Sequence, residues 1–415
     1  MFFNKARADE YMRNYNLDVI IATSFANVTY FTDYYCWIDP LFKDYMMVPG
    51  APSRLAQSYA VYPLNGEPAL VVNPLFSLNA ADNWVSDIYT YGQAAELEGS
   101  TFPPLKIPDH LRHYHELHNN PYSHATPIDA LHAILKDRGL LAAKIGLEKE
   151  NLPADTESNL TDGLPKAEIK DCTNLIRLIR MVKSEGDLAS LTRGAEISER
   201  AAMDSFALLK PGSLASELVH NFRTRIAEQG GDFEHFIYSI CGLGITAETE
   251  HQFTDKDVFF VDYGCYYNHQ FSDTGTTVAM SEPSKELLAR HQTLRAAMAA
   301  ALDVIKPGAK TSEVHGAMSR TLHDNGITNS FPHGHSYGLE VREYPIIVAD
   351  NGLHIRDDCV DIPSDIVLEA GMVFNLESCL FYLANSAVHT EQAVVVTENG
   401  NQPLVKQERE TPFIP

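Results

Sequence analysis

The strongest constraint on this chain is a stretch that occurs twice. Residues 208–222, LLKPGSLASELVHNF, resemble residues 304–318, VIKPGAKTSEVHGAM. Each has Lys-Pro-Gly, a short polar stretch, then Ser-Glu-aliphatic-His opening a helix. The lysines, Lys210 and Lys306, lie 96 residues apart. With two copies and so long an offset, a solenoid is excluded. A duplicated half-domain with a pseudo-two-fold axis is the reading that remains, unless two common helix starts coincide.

The duplication directs attention to the segment C-terminal to each copy. Residues 257–280 and 370–400 both read as two strands around a turn, and each hairpin carries two acids inside otherwise apolar or neutral strands. They are Asp262 and Asp273 in the first, Glu377 and Glu391 in the second, at offsets of 115 and 118 residues. A carboxylate on a buried strand requires a partner charge, a metal or a proton. Few basic side chains accompany these four, so two divalent cations sharing carboxylate bridges meet the requirement. The segment FPHGHSYGLEVREYP, residues 331–345, adds His335 as an imidazole ligand. Oxygen-rich ligands with a nitrogen suit Mn, Fe, Co or Zn, and the absence of cysteine ligands argues against a structural zinc site. Taken singly each residue has a plainer reading: Asp262 before Tyr263-Gly264 as a turn, Glu391 as a solvated edge residue, a histidine near glycine as packing.

The chain of 415 residues exceeds the limit of about 250–300 for a single hydrophobic core, so two domains are expected. An α/β N-terminal domain over residues 1–165 is read from alternating strands and helices. Residues 17–35 read as buried strand, turn and strand; residues 60–74 as a hairpin turning at Asn65-Gly66; residues 142–153 as a strand leaving into a loop. A polar segment at 162–174 marks the boundary, and the second domain spans 175–415, opening on a helix capped by Ser184.

Net charge is −23, which disfavours nucleic acid and anionic membranes as partners. The N-terminal residues MFFNKARADEYM place charges where a signal peptide needs an apolar stretch, and no run of about 18 apolar residues suggests a span. The six cysteines, at 36, 172, 241, 265, 359 and 379, are scattered and fit a reducing compartment. A cytoplasmic protein is the expectation.

The segments VDYG…SDTGTT, HGHSYGLEVREYP, LEAGMVFNLES and HTEQAVVVTENG together resemble the pita-bread metallopeptidase family, which includes methionine aminopeptidase, prolidase, aminopeptidase P and the metal-free creatinase. The resemblance covers roughly residues 175–415, and the N-terminal part looks like the smaller domain of prolidases and creatinase. It implies a small N-terminal α/β domain followed by a pita-bread fold with an antiparallel sheet. It implies two divalent metal ions per chain: Asp262 chelating one, Asp273 and Glu391 bridging, His335 and Glu377 completing the other. Water activated between the ions would be the nucleophile, with Glu377 shuttling its proton to the leaving nitrogen. Homodimerisation follows from the resemblance alone.

Two departures bear on substrate. Where these peptidases commonly carry a substrate-contacting histidine seven residues after the ligand histidine, this chain has Arg342, whose planar donor fork suits a carboxylate. An ion pair of Arg342 with Glu340 or Glu343 is the plainer alternative. Counting back about 17–18 residues from Asp262, where a further histidine is usual, reaches Ile245 and Gly244. His251 or His235 replaces that group, or none does, and His251 is taken as the catalytic candidate. His333 is expected to orient substrate or support the site. Tyr34, Tyr35 and Trp37 are candidates for an aromatic wall around substrate, or else core.

The expected activity is a dinuclear metal-dependent hydrolysis of a C–N bond in a small substrate, Xaa-Pro dipeptidase-like. The alternatives are hydrolysis of a non-peptide substrate such as creatine or ectoine, a lyase of the dimethylsulfoniopropionate type, or a peptidase-like binding module. All five ligand positions are filled, which argues against the last.

Overall fold

The computed structural model describes residues 1–51, 57–92, 106–118, 124–239, 242–247, 249–381, 386–407 and 410–415. Cys241, counted among the scattered cysteines, lies outside them. The chain forms two compact units, Met1–Arg180 with Ile355–Ile362, and Met181–His354 with Pro363–Pro415.

The first unit is built on a six-stranded sheet in the order β4-β3-β2-β1-β5-β6. Its strands are β1 (Val19–Ala22), β2 (Tyr59–Pro63), β3 (Ala69–Val72), β4 (Ile88–Thr90), β5 (Lys144–Leu147) and β6 (Glu168–Asp171). The expected hairpin is β2–β3, with Asn65 at φ 59° in the turn. The helices are α1 (Lys5–Asn14), α2 (Phe25–Thr32), α3 (Arg112–His118), α4 (Pro127–Asp137), α5 (Ala154–Asp162) and α6 (Thr173–Arg180). Residues 25–32, expected as a second strand, are instead helix α2. Ser24 caps it by accepting from the Asn27 amide, and Glu148 receives the amides of Thr23 and Ser24. A local cap thus overrides the β-preference of the aromatic and β-branched residues. The returning segment Ile355–Ile362 is tied to this unit by Asp357, which accepts from the Asn174 and Leu175 amides at the start of α6, at 2.8 and 3.0 Å.

In the second unit the duplication is visible element by element. The first half comprises α7 (Glu185–Phe206), α8 (Ala215–Glu228), β7 (Asp232–Ser239), β8 (Ile245–Thr246), β9 (Val258–Tyr267), β10 (Gln270–Phe271) and β11 (Thr274–Ala279). The second comprises α9 (Lys285–Leu302), α10 (Thr311–Asp324), β12 (Gly334–Ser336), β13 (Glu343–Ile347), β16 (Val373–Leu380), β17 (Val388–Thr397) and β18 (Gly400–Pro403); the short hairpin β14 (His354–Arg356) and β15 (Asp361–Pro363) intervenes. The repeated Lys-Pro-Gly turns at the starts of α8 and α10 share their chemistry. Gly212 and Gly308 take φ of 96° and 90°, open to glycine at no steric cost. Glu217 accepts from the Leu214 amide and Glu313 from the Lys310 amide, at 3.0 and 2.9 Å. The same residues at the same helix positions satisfy the same orphan donors.

Strand β9 is flanked by β7, β10 and β11, and β16 pairs with β17, both antiparallel. Behind β9, the aromatic cluster of Phe206, Phe222, Phe236 and Tyr263 fills the space to α7 and α8. The acids therefore sit on strands whose opposite face is locked by large buried side chains, which fixes their register.

Candidate metal centre

Strand alternation decides which side chains reach the site. Glu377 on β16 and Glu391 on β17 are direct cross-strand partners. Residues two positions away share their face, which brings Asn375 and His389 in as well. On the other hairpin Asp262 is opposite Gly275, and Asp273 stands immediately before β11. His335 and His333 come from β12 and the residue before it; His333 pairs backbone to backbone with Glu377.

These groups converge. His335 Nε2 lies 3.3 Å from Asp273 Oδ2 and 3.7 Å from Glu377 Oε1, with Nδ1 3.0 Å from the Ser336 carbonyl. His333 Nε2 is 2.7 Å from Glu377 Oε1, with Nδ1 3.0 Å from the Phe331 carbonyl. His235 on β7 reaches Asp262 Oδ1 at 2.9 Å and Asp273 Oδ1 at 3.5 Å. His389 Nε2 is 3.7 Å from Glu377 Oε2 and 3.8 Å from Glu391 Oε2. Asn375, fully buried, donates through Nδ2 to Asp273 Oδ2 at 2.9 Å and Glu391 Oε1 at 2.7 Å, while its Oδ1 accepts the His335 amide.

The electrostatics record the crowding. Burial first, then the charge of Asp273, raises the Asp262 carboxyl above the ordinary range, against the opposing influence of His235. Burial and the charges of Asp273, Asp262 and Glu377 push Glu391 up further. Burial acts in the same direction on Glu377, yet His333 and His389 outweigh it and hold that carboxyl below its usual range.

The residues present fit divalent cations. Glu391 Oε2 is buried without a hydrogen-bond partner among the described residues. His333 and His335 donate from Nδ1 to carbonyl oxygens and turn Nε2 toward carboxylates, an arrangement that a cation between them satisfies, as a second proton on the ring does in its absence. Two clusters have ligand atoms all within 4.8 Å of one another: His235, Asp262 and Asp273, and Glu377, His389 and Glu391.

Other sequence-derived candidates are placed elsewhere. His251, taken as the catalytic candidate, pairs with Asp257 at 3.1 Å and packs edge-on against Phe253. His235, the other candidate, is an imidazole that reaches the first aspartate, at 2.9 Å. Arg342 is exposed in the β12–β13 connection. The Glu343 carboxylate is held by Lys183 at 2.7 Å, with both side chains under a tenth exposed. In the first unit Tyr34 is fully buried and belongs to the core, which removes it from any surface wall; Tyr35 packs on Phe25, and Trp37 is 66% exposed.

The sequence pattern described as metallopeptidase family M24 matches residues 189–398, and that of the creatinase/prolidase N-terminal domain matches residues 5–182. The chain belongs to metallopeptidase family M24. It is a metallohydrolase with a creatinase-like N-terminal domain and a pita-bread M24 domain, as the motifs imply. An Xaa-Pro dipeptidase of Lactobacillus delbrueckii subsp. lactis is 27% identical over 278 residues, 65% of this chain and 72% of that one. Among solved structures, an Xaa-Pro dipeptidase from Bacillus anthracis superposes with TM-score 0.72 at 18% identity, covering 98% of each chain. The prolidase from Pyrococcus furiosus gives 0.68 at 19% identity, over 97% of this chain and all of that one. These similarities establish the shared M24 fold. No helix among the described residues is long and apolar enough to cross a membrane.

Proposed function

We propose that this M24 protein is an Xaa-Pro dipeptidase-like hydrolase that works with two divalent cations, of Mn, Co, Fe or Zn. The observation that carries this reading is the convergence of four carboxylates from the two duplicated hairpins, with imidazole Nε2 atoms directed at them. Asp262, Asp273, His335, Glu377 and Glu391 would hold the ions. When bound, such cations lower the pKa of water and polarise a carbonyl.

The chain's own groups do the rest. Glu377, kept ionised by His333 and His389, is suited to take a proton from the attacking water and deliver it to the leaving nitrogen. His333, whose Nδ1 is anchored on the Phe331 carbonyl, fixes the orientation of the Glu377 carboxylate. Arg342, exposed beside the site segment, would bind the free carboxylate of a dipeptide. The Xaa-Pro preference rests on the name of the Lactobacillus relative. Work in the cytoplasm is consistent with five free thiols among the described residues, at 36, 172, 265, 359 and 379. Assembly as a homodimer is part of the same proposal.

The test is metal analysis of the purified chain followed by a panel of Xaa-Pro dipeptides, with creatine and ectoine as comparators. Two ions per chain and preferential release of proline are expected. Hydrolysis of creatine or ectoine in place of the dipeptides would replace the substrate assignment. Failure to bind any of the four metals would overturn the dinuclear site.

A further inference from the structure

His235 has no place in the five-residue ligand set, yet its Nε2 lies 2.9 Å from Asp262 Oδ1. We propose that His235 is a sixth protein ligand, binding through Nε2 the ion that Asp262 and Asp273 hold. This rests on the dinuclear reading above and adds a nitrogen to it.

Three features of the structure carry the assignment. First, the ring is anchored and aimed. Its Nδ1 is hydrogen-bonded to the Glu234 carboxylate, so the neutral ring carries its proton there. Nε2 is aimed at Asp262 Oδ1 at 2.9 Å and Asp273 Oδ1 at 3.5 Å, a position that either a second proton on the ring or a cation can fill. A cation resolves that juxtaposition, and carboxylate–imidazole–metal relays have this form.

Second, the backbone is arranged to deliver the ring. The β7–β9 register shifts between Phe233 and His235. A bulge of this kind suspends strict alternation and re-aims a side chain, which lets the adjacent Glu234 and His235 act as a pair. Opposite His235 in the register stands Gly264. A Cβ there would come 2.5 Å from His235 Cε1 and 2.1 Å from the Ser272 carbonyl, so glycine provides the room that the imidazole fills.

Third, the duplicated half repeats the device. In each half a histidine from the strand edge beside the first acid points Nε2 at that acid: His235 at Asp262, and His333 at Glu377 at 2.7 Å. His333 anchors Nδ1 on a neutral carbonyl; His235 anchors it on a carboxylate, which raises the basicity of Nε2 and makes it the stronger donor. A site with nitrogen from His235 as well as from His335 favours Co, Fe or Zn over the oxygen-seeking Mg and Ca.

The experiment compares the full-length wild type with His235→Ala, His235→Gln and Glu234→Gln, each checked for folding by circular dichroism. Cobalt binding is followed by calorimetry, metal content and the visible cobalt spectrum. The expected result is two ions in the wild type, and in His235→Ala one site weakened by roughly 10–100-fold or more with altered cobalt bands. Glu234→Gln should show a smaller weakening of the same site. Should the substitutions at 235 fail to fold, histidine nitrogen NMR of the zinc-loaded wild type decides. Two metal-shifted imidazoles are expected; a single one, with His235 protonated on both nitrogens, overturns the assignment. Two ions bound with unchanged affinity and spectrum in His235→Ala would also overturn it while leaving the dinuclear reading intact. A wild type that binds no cobalt would remove that reading, and this assignment with it.

Discussion

Glu377 and Glu391 face each other directly across β16 and β17, carboxylate to carboxylate. Like charges in that relation destabilise a sheet, and here burial removes the water that would screen them. Asn375 satisfies one oxygen of Glu391, and Oε2 has no hydrogen-bond partner among the described residues. The strand pair therefore stores electrostatic work that a bound cation would release. Metal-free protein is expected to melt at lower temperature than protein supplied with Mn or Co. Glu391→Gln should raise the melting temperature of the metal-free form and abolish the metal-dependent increase. Differential scanning calorimetry with and without chelator reads both, and an unchanged metal response in the variant would contradict the assignment of Glu391.

Asn375 ties the two hairpins together by donating to one acid of each. Removing its amide deletes two hydrogen bonds to charged groups, each worth about 1.5–3 kcal/mol, and strands the buried His335 amide. Asn375→Ala is expected to cost about 3 kcal/mol or more in denaturant unfolding. Metal affinity should fall by roughly 10–100-fold, because the carboxylates lose the group that orients them. Asn375→Asp, which adds a fifth buried carboxylate, should be worse than alanine in the metal-free protein.

Much of this site is written in residue order. The duplicated Lys-Pro-Gly turns and the matched acid pairs single out Asp262, Asp273, Glu377 and Glu391, and the histidine-glycine-histidine segment adds His335. Asn375 and His389 were legible in principle: each stands two residues before an acid on the same strand, and period-two alternation places them on its face. His235 was legible only as an alternative to His251, because the bulge after Phe233 breaks that alternation and hides which way the ring points. Proximity along the chain favoured His251, but its Nε2 pairs with Asp257 at 3.1 Å. The misreading of residues 25–32 has the same origin. A single serine cap and the distant Glu148 decide the conformation, and composition alone points the other way.

Asp187 supplies a pH dependence away from the metal centre. Burial pushes its carboxyl up to about 6, with Lys183 and the Ser184 amide opposing. An acid whose folded value lies above its unfolded value near 3.9 stabilises the fold most when protonated. Its contribution is present below about pH 4 and is lost as pH rises through 6. The shift corresponds to about 3 kcal/mol in all. Asp187→Asn keeps an acceptor for the helix start and cannot ionise. It is expected to flatten the fall in unfolding free energy between pH 4 and 6, measured by urea titration at a series of pH values. A variant whose profile parallels the wild type across that window would contradict the linkage.

Lys183 and Glu343 form a buried charge pair, 2.7 Å apart, with side chains 4% and 7% exposed. The pair fastens the end of the loop that carries Arg342, since the Glu340 amide also donates to Glu343 at 3.0 Å. Its net worth is set by desolvation as much as by attraction, so the single and double substitutions should behave differently. Lys183→Met leaves Glu343 buried without that cation, and a loss of about 3–5 kcal/mol is expected. Lys183→Met combined with Glu343→Leu removes both charges and should recover most of that loss in stability. Function should not follow stability if Arg342 binds the substrate carboxylate. The double variant frees the Arg342 loop, so KM for a dipeptide should rise several-fold with kcat little changed. Stability curves and steady-state kinetics on the same three proteins separate the two effects. Recovery of both stability and KM in the double variant would show that Glu343 does not position the loop.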